Sequence, residues 1–244
     1  MLTSQLARRL YASVGHKIVP AGEGFIDAKT VCAKAEAAGQ TVLEYLASQN
    51  LDAIKNRRVS RIFDQCDGKI FEDCSRVCEI GTGTGMFLEE ACKRARPSIY
   101  EIYETNQGWV EYLKSTYGKS KECKFVFHPA SGSSLEYSKD ESCDLVHAND
   151  VFVYVSLTTT FKYLQDVARI CKPGGYVIFD CFTEGKFDLE TLGAWLQSPW
   201  DYPVVIPEKL LLEFCEKHRL VLQRRFDMDY SASLVSYFVF KKKG

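Results

Sequence analysis

The feature that most constrains this chain is a short apolar strand that runs directly into a glycine-rich turn. Residues 76–80 have the pattern of a buried strand, and Gly81, Gly83 and Gly85 follow at alternate positions before an amphipathic segment. Glycine adopts positive φ without a steric penalty and leaves room for a ligand to approach the backbone. The first amides of the following helix would face that ligand. The segment therefore predicts a strand–turn–helix unit that binds a small molecule.

The spacing of these glycines distinguishes between two kinds of ligand. A dinucleotide-binding turn has the pattern G-x-G-x-x-G, which would place its third glycine at position 86. Met86 occupies that position, and the third glycine is Gly85. An NAD-dependent oxidoreductase is therefore disfavoured.

Strand and helix patterns alternate from residue 76 onwards. Such alternation predicts an α/β fold with a doubly wound, mostly parallel sheet of seven strands and an antiparallel last strand. Residues 172–175 are expected to form a turn before the fifth strand, and the polar stretch 227–233 is short enough for a hairpin between the last two. The predicted strands span residues 76–80, 98–103, 124–128, 143–148, 176–181, 220–226 and 235–240.

The first 75 residues lack strong strand patterns and are interpreted as a helical cap on a core formed by residues 76–244. Apolar residues recur there at helical spacing, and a loop containing glycine and proline is expected between positions 15 and 27. The residues with helical spacing are Val42, Tyr45 and Leu46, and then Val59, Ile62, Phe63 and Cys66.

Several motifs over residues 76–182 together resemble the class I (Rossmann-like) S-adenosylmethionine-dependent methyltransferases. The G-x-G-x-G turn follows Glu79, and Glu104 closes the second predicted strand. Residues 144–149 resemble the family's fourth strand, which an acidic residue opens. Residues 164–175, LQDVARICKPGG, resemble its helix and Pro-Gly-Gly turn. The resemblance implies S-adenosylmethionine as the cofactor.

The resemblance also implies which residues bind that cofactor. Glu104 is expected to accept hydrogen bonds from the ribose hydroxyls. Ser131 stands where many relatives carry an acidic residue that binds the adenine amino group, so the adenine contacts depart from the family pattern. The cofactor-binding candidates are Glu79, Gly81, Thr82, Gly83, Gly85, Glu104, Thr105, Ser131, Gly132 and Asn149.

A hydroxyl acceptor also needs a general base near the transferred methyl group. Ligands of such sheets bind outside the carboxyl ends of the strands. Asp150, just beyond the fourth strand, is the first candidate for the base, and a purely structural carboxylate is the alternative. His147, within the strand, is the second candidate, although a packed strand histidine is the favoured interpretation. Asp180 follows as a third.

Aromatic side chains and a basic cluster suggest where an acceptor would lie. Aromatic residues follow the fourth and fifth strands and are candidates for one wall of an acceptor pocket, although most such residues belong to cores. The basic cluster could meet an anionic acceptor or be solvated. The aromatic residues are Phe152, Tyr154, Trp195, Trp200 and Tyr202, and the basic ones are Arg57, Arg58 and Arg61.

Composition excludes several other functions. With 31 Lys and Arg against 32 Asp and Glu, the net charge is −1, so no electrostatic footprint for a nucleic acid is present. Ten cysteines occur without a CxxC pair, which disfavours a zinc or thioredoxin-like site and suits free thiols in the cytosol. No apolar run reaches membrane-spanning length, and no signal sequence is evident.

The sequence thus predicts methyl transfer to a small molecule, with a hydroxyl of a sugar or natural-product type as the acceptor. An N-methyltransferase acting on an amine or protein is one alternative. Residues 149–152, Asn-Asp-Val-Phe, stand where many amino-group enzymes have an Asn-Pro-Pro-Tyr type sequence. A cofactor-binding protein without catalytic activity is the other alternative.

Overall fold

The computed structural model describes residues 27–49, 53–197, 203–230 and 233–244, and side chains in the helix that begins at residue 53 from position 59 onwards. The loop predicted before Asp27 therefore lies almost wholly outside the described residues. Of the described part, no helix is long and apolar enough to cross a membrane.

Among the described residues, four helices precede the sheet, and two of them begin at side-chain caps. The Asp27 carboxylate accepts the amide of Thr30 at 3.0 Å, and Thr41 and Glu44 form a capping box. The residues predicted from helical spacing, from Val42 to Cys66, are buried. The helices are α1 (Ala28–Ala37), α2 (Val42–Ser48), α3 (Ala53–Gln65) and α4 (Lys69–Glu72).

The sheet confirms the predicted fold class. Its hydrogen-bonded order is β3-β2-β1-β4-β5-β8-β7, with the short β6 beside β5. Strands β1 to β5 pair in parallel, and β8 runs antiparallel to both β5 and β7. The strands are β1 (Arg76–Ile80), β2 (Ile99–Tyr103), β3 (Lys124–Phe127), β4 (Cys143–Ala148), β5 (Cys171–Thr183), β6 (Val205–Ile206), β7 (Leu220–Tyr230) and β8 (Ser233–Lys242).

Helices cover both faces of this sheet, each face with its own apolar core. One core includes buried residues of α7 and α9, and the other includes residues of α3, α5 and α6. Helices α1 and α2 form a third, smaller cluster with Trp109 of α6. The further helices are α5 (Met86–Ala95), α6 (Gln107–Tyr117), α7 (Leu157–Ile170), α8 (Leu189–Leu196) and α9 (Glu208–Lys217).

The hairpin expected between the last two strands is confirmed, but the bounds of two predicted loops were wrong. The turn expected at 172–175 is a bulge inside β5, because Cys171 already pairs with Cys143 and pairing resumes at Tyr176. The polar stretch expected to separate β7 from β8 is mostly paired strand, and its pairing runs as far as Tyr230 with Ser233. Cross-strand hydrogen bonding overrides the polar composition there.

The acidic residue that opens β4 anchors the first strand. The Asp144 carboxylate accepts the amides of Ser75 and Arg76 at 3.0 and 2.8 Å, and Lys172 from the β5 bulge pairs with it. Burial raises the pKa of this carboxyl, but the bonds from Lys172, Arg76 and Ser75 outweigh burial and hold it below its usual value. One side chain therefore joins the starts of β1, β4 and β5.

Replacing the Asp144 carboxylate should destabilise the sheet without changing the opposite edge, where the parallel strands have their carboxyl ends. Asp144→Ala leaves partly buried amide donors without a partner, so the free energy of unfolding should fall by about 1–3 kcal/mol in urea titration. Asp140→Ala is the control, because it removes an exposed ion pair with Arg169 whose contribution is at most about 1 kcal/mol. Equal losses in the two variants would contradict the anchoring role.

Candidate functional site

The glycine-rich turn between β1 and α5 adopts the backbone that its sequence predicted. Gly81 and Gly85 have φ of +69° and +84°, and Gly85 is the N-cap of α5. A Cβ at Gly81 would lie 2.5 Å from Cγ2 of Val151, and one at Gly85 would lie 3.1 Å from Leu113. These two glycines therefore let the turn pack closely against the residues around it.

The middle glycine serves a different purpose. Gly83 has φ of +53°, and a Cβ there would meet nothing nearer than a backbone oxygen 4.0 Å away. Its amide donates to Oε2 of Glu104 at 2.8 Å. The backbone thus faces open space at Gly83 and is held to the end of β2 by a carboxylate.

Glu104 is buried and fixed from two sides. Its other oxygen, Oε1, accepts the amide of Asn106 at 2.7 Å. Burial raises the pKa of the Glu104 carboxyl, while the amides of Asn106 and Gly83 act in the opposite direction. Each oxygen keeps a second lone pair, which suits a ligand with adjacent hydroxyls.

The loop after β3 approaches the same place. A Cβ on Gly132, whose φ is +79°, would lie 3.6 Å from Cγ2 of the exposed Thr105. The Ser131 hydroxyl accepts the amides of Ser133 and Ser134 at 3.3 and 3.2 Å. Ser131 therefore shapes its own loop, and the structure brings Gly132 beside Thr105 at the end of β2.

A buried hydrogen-bonded row crosses the end of the sheet. Tyr100 donates to Glu79 at 2.9 Å, and its oxygen lies 2.9 Å from Nε2 of His147. The Asn149 amide nitrogen lies 3.1 Å from Nδ1 of the same imidazole. Burial lowers the pKa of His147 to about 3, so the ring is neutral. Both ring nitrogens are engaged within the protein.

Asp150 and Asp180 are also brought together. The Asp150 amide donates to Oδ1 of the fully buried Asp180 at 2.8 Å, and Asp150 has φ of +57°. A non-glycine residue in this region is uncommon and is held by its surroundings. The backbone of the partly exposed Asp150 therefore has a fixed position just beyond the carboxyl end of β4.

The aromatic and basic candidates lie in several different environments. Phe152 and Trp195 are buried, and the Trp195 indole donates to Ser233 at 3.2 Å. Tyr154 is half-buried and Arg61 is exposed. Trp200 and Tyr202, and the side chains of Arg57 and Arg58, lie outside what the structure describes.

The residues at this edge fit S-adenosylmethionine. Strand order reverses between β1 and β4, the position where ligands of doubly wound sheets bind. A buried carboxylate at the end of β2 suits ribose hydroxyls, and the turn is open at Gly83. Oδ1 of Asn149 is buried, and no described residue gives it a hydrogen-bond partner, so an acceptor is available for a ligand's donor. In the part of the chain that the structure describes, no group of side chains could hold a metal ion.

Comparisons with known proteins agree with this geometry. A segment of 120 residues is 28% identical to malonyl-[acyl-carrier protein] O-methyltransferase of Marinomonas sp. (strain MWYL1) and covers 49% of this chain. It covers 42% of that relative, so the chain matches less than half of its length. Magnesium protoporphyrin IX methyltransferase of Synechocystis PCC 6803 superposes with a TM-score of 0.60 at 11% identity, over 81% of this chain and 87% of that one.

A doubly wound fold with a glycine turn after the first strand and a buried carboxylate after the second defines a class of cofactor-binding proteins. The chain belongs to the family described as a methyltransferase domain, which matches residues 40–211, within the class I S-adenosylmethionine-dependent superfamily. S-adenosylmethionine is accordingly its cofactor. The fold alone does not identify a reaction. The [4+2]-cyclase SpnF also superposes, with a TM-score of 0.55 at 14% identity over 77% of this chain and 80% of that one.

Tyr100 was not among the residues predicted for this site. Its signal was its place on β2, two and four residues before Ile102 and Glu104 and thus on the same strand face. Only the register of β1 and β4 shows that its hydroxyl reaches Glu79 and His147.

Gly83→Leu should abolish cofactor binding while preserving the fold. The new side chain would occupy the open space beside the turn, and its positive φ would cost about 1–2 kcal/mol. Gly174→Leu is the matched control, because Gly174 has φ of +82° and equally open surroundings in the β5 bulge. Titration calorimetry with S-adenosylhomocysteine should show loss of binding in the first variant only. Retained affinity in Gly83→Leu would exclude the turn from the cofactor site.

Glu79 should make stability depend on pH. Burial raises the pKa of its carboxyl to about 8, with the Glu104 charge acting in the same direction and the Tyr100 hydrogen bond against it. Between the usual carboxyl pKa and about 8 the folded state binds more protons than the unfolded state, so stability should fall as the pH rises through that range. Urea unfolding of Glu79→Gln should show a shallower decline. Parallel curves for the two proteins would contradict a protonated Glu79.

Proposed function

We propose that this protein transfers the methyl group of S-adenosylmethionine to an oxygen atom of a small molecule, with a hydroxyl as the acceptor group. The observation that carries this proposal is the position of Asp150, a partly exposed residue just beyond β4 whose backbone amide donates to Oδ1 of Asp180. The O-methyltransferase named among the relatives supports oxygen as the acceptor atom. The net charge of −1 argues against a nucleic-acid acceptor.

When bound, S-adenosylmethionine supplies a methyl group already activated on its sulfonium. The protein's task is then to hold the two reactants in line and exclude water, an orientation effect of up to about 7–11 kcal/mol. Glu104 would hold the ribose hydroxyls, and Gly83 would leave space for the ligand beside the turn. Asp150 would take the proton from the acceptor hydroxyl as the new bond forms.

The choice of Asp150 over His147 follows from their surroundings. Both imidazole nitrogens of His147 are engaged by Tyr100 and Asn149, and burial holds its pKa at about 3. A general base must reach the proton that it removes, and both nitrogens of this buried ring already have partners within the protein. We therefore propose Asp150 as the base and His147 as part of the cofactor side of the site.

A second candidate acceptor is the carboxylate of a carrier-bound acyl group, which the name of the Marinomonas relative favours. A carboxylate is already anionic and needs no base, so Asp150 would then have no part in proton transfer. The two candidates therefore differ in how they depend on one residue. A cytosolic location is also proposed, supported by the ten free cysteines.

Asp150→Asn keeps the shape of the side chain and removes the proton acceptor. With hydroxyl compounds as acceptors, turnover should fall by roughly 10²–10⁴-fold while cofactor affinity stays nearly unchanged. Release of S-adenosylhomocysteine measures turnover, and calorimetry measures affinity. The matched control is Asp73→Asn, an exposed carboxylate just before β1, at the opposite edge of the sheet.

Other outcomes decide between the candidates. Activity on a malonyl thioester that Asp150→Asn leaves unchanged would favour the carboxylate acceptor. A parallel loss of turnover and cofactor affinity would make Asp150 a structural or cofactor-binding residue. Binding of the cofactor without methyl transfer to any oxygen or amine acceptor would favour a protein without methyltransferase activity.

A further inference from the structure

The buried row from Glu79 to Asn149 joins three neighbouring strands. Glu79 of β1 pairs in register with His147 of β4, so the two side chains share one face of the sheet. Tyr100 of β2 lies between them and contacts both, and Oε1 of Glu79 is 3.9 Å from Nδ1 of His147. Burial is nearly complete, with Tyr100 at 0% and Glu79 and His147 at 2% exposed. Polar groups so deeply buried require a fully defined hydrogen-bond pattern.

The orientation of the Asn149 amide sets the roles of the other members of the row. The Asn149 amide nitrogen donates, so Nδ1 of His147 accepts. Nε2 of the neutral ring then carries the proton and donates to the Tyr100 oxygen, and Tyr100 donates to Glu79. The direction of the row is thus set from Asn149 to Glu79. This direction fixes which end of the Asn149 amide faces the imidazole.

The oxygen atom of that amide has no hydrogen-bond partner among the described residues. Oδ1 of Asn149 is buried without a hydrogen-bond partner, in a residue only 6% exposed. Asn149 follows β4 where Gly81 follows β1, and the last residues of these strands, Ala148 and Ile80, are paired. The orphan oxygen therefore belongs to the same edge as the glycine turn. A buried acceptor left unpaired costs free energy unless a ligand satisfies it.

We propose that Tyr100 and His147 are positioning residues that hold Oδ1 of Asn149 ready to accept a hydrogen bond from the ammonium group of the cofactor's methionine part. The inference rests on this edge being the S-adenosylmethionine site. A neutral imidazole suits the task, because a charged ring would repel the ammonium group. Glu79 is the last hydrogen-bond acceptor of the row. Loss of any member removes part of the hydrogen bonding that fixes the imidazole, so the Asn149 amide is then free to rotate.

The test compares two ligands that differ in the amino-acid part. S-adenosylhomocysteine carries the ammonium group, whereas methylthioadenosine has the same adenosine and sulfur without the amino-acid part. In Tyr100→Phe and in Asn149→Ala, calorimetry should show S-adenosylhomocysteine binding weakened by about tenfold, as expected for a hydrogen bond to a charged group. Methylthioadenosine affinity should change by less than about twofold.

Tyr103→Phe is the matched control, because it removes a buried tyrosine hydroxyl from the same strand. That hydroxyl contacts Ser138, outside the row, at 3.0 Å. It should leave both affinities unchanged. Nitrogen-15 NMR of the wild-type histidines gives a measurement that does not depend on any variant folding. It should show one imidazole as the neutral Nε2–H tautomer from pH 5 to 8.

The remaining outcomes each overturn a defined statement. Equal weakening of both ligands in Tyr100→Phe would make the row merely structural, and no weakening of either would remove it from the site. An Nδ1–H or cationic His147 would overturn the direction of the row. A wild-type protein that binds neither ligand would instead overturn the cofactor site itself, and with it both proposals.

Discussion

The left-handed backbone of the turn between β1 and α5 is the constraint on which the rest of the site depends. At Gly81 a side chain would meet Val151, so the turn and the segment after β4 can approach only because glycine stands there. That approach places the end of β4 beside the turn, and the Gly83 amide in turn fixes Glu104. The ends of β1, β2 and β4 thus lie close together around residues that have no side chain.

Most of the fold could be predicted because local sequence patterns indicate its strands and helices. The bounds of β1 and β4 agree with prediction since a glycine turn or a polar residue limits each apolar run. Gly83 and Glu104, which we propose as cofactor residues, could be selected from the sequence because their spacing relative to the strands is itself the signal. The division at residue 75 stays a prediction, since α3 shares a hydrophobic core with β1.

What could not be predicted depends on partners distant in sequence. The strand over Asp227 exists because Ser236 donates to its carboxylate across the hairpin at 2.8 Å. The resemblance placed Ser131 near the adenine, whereas in the structure its hydroxyl accepts the amides of its own loop. Such competition between local and ligand hydrogen bonds is invisible to spacing alone.

The backbone at Asp150 carries a consequence for how this protein could change over time. Asp150 has positive φ, a backbone conformation that costs more free energy for a residue with a side chain than for glycine. A glycine at this position would relax the backbone and remove the carboxylate that we propose as the base. Under that proposal the residue type at position 150 exchanges fold stability for reactivity, and selection for stability alone would favour loss of the carboxylate.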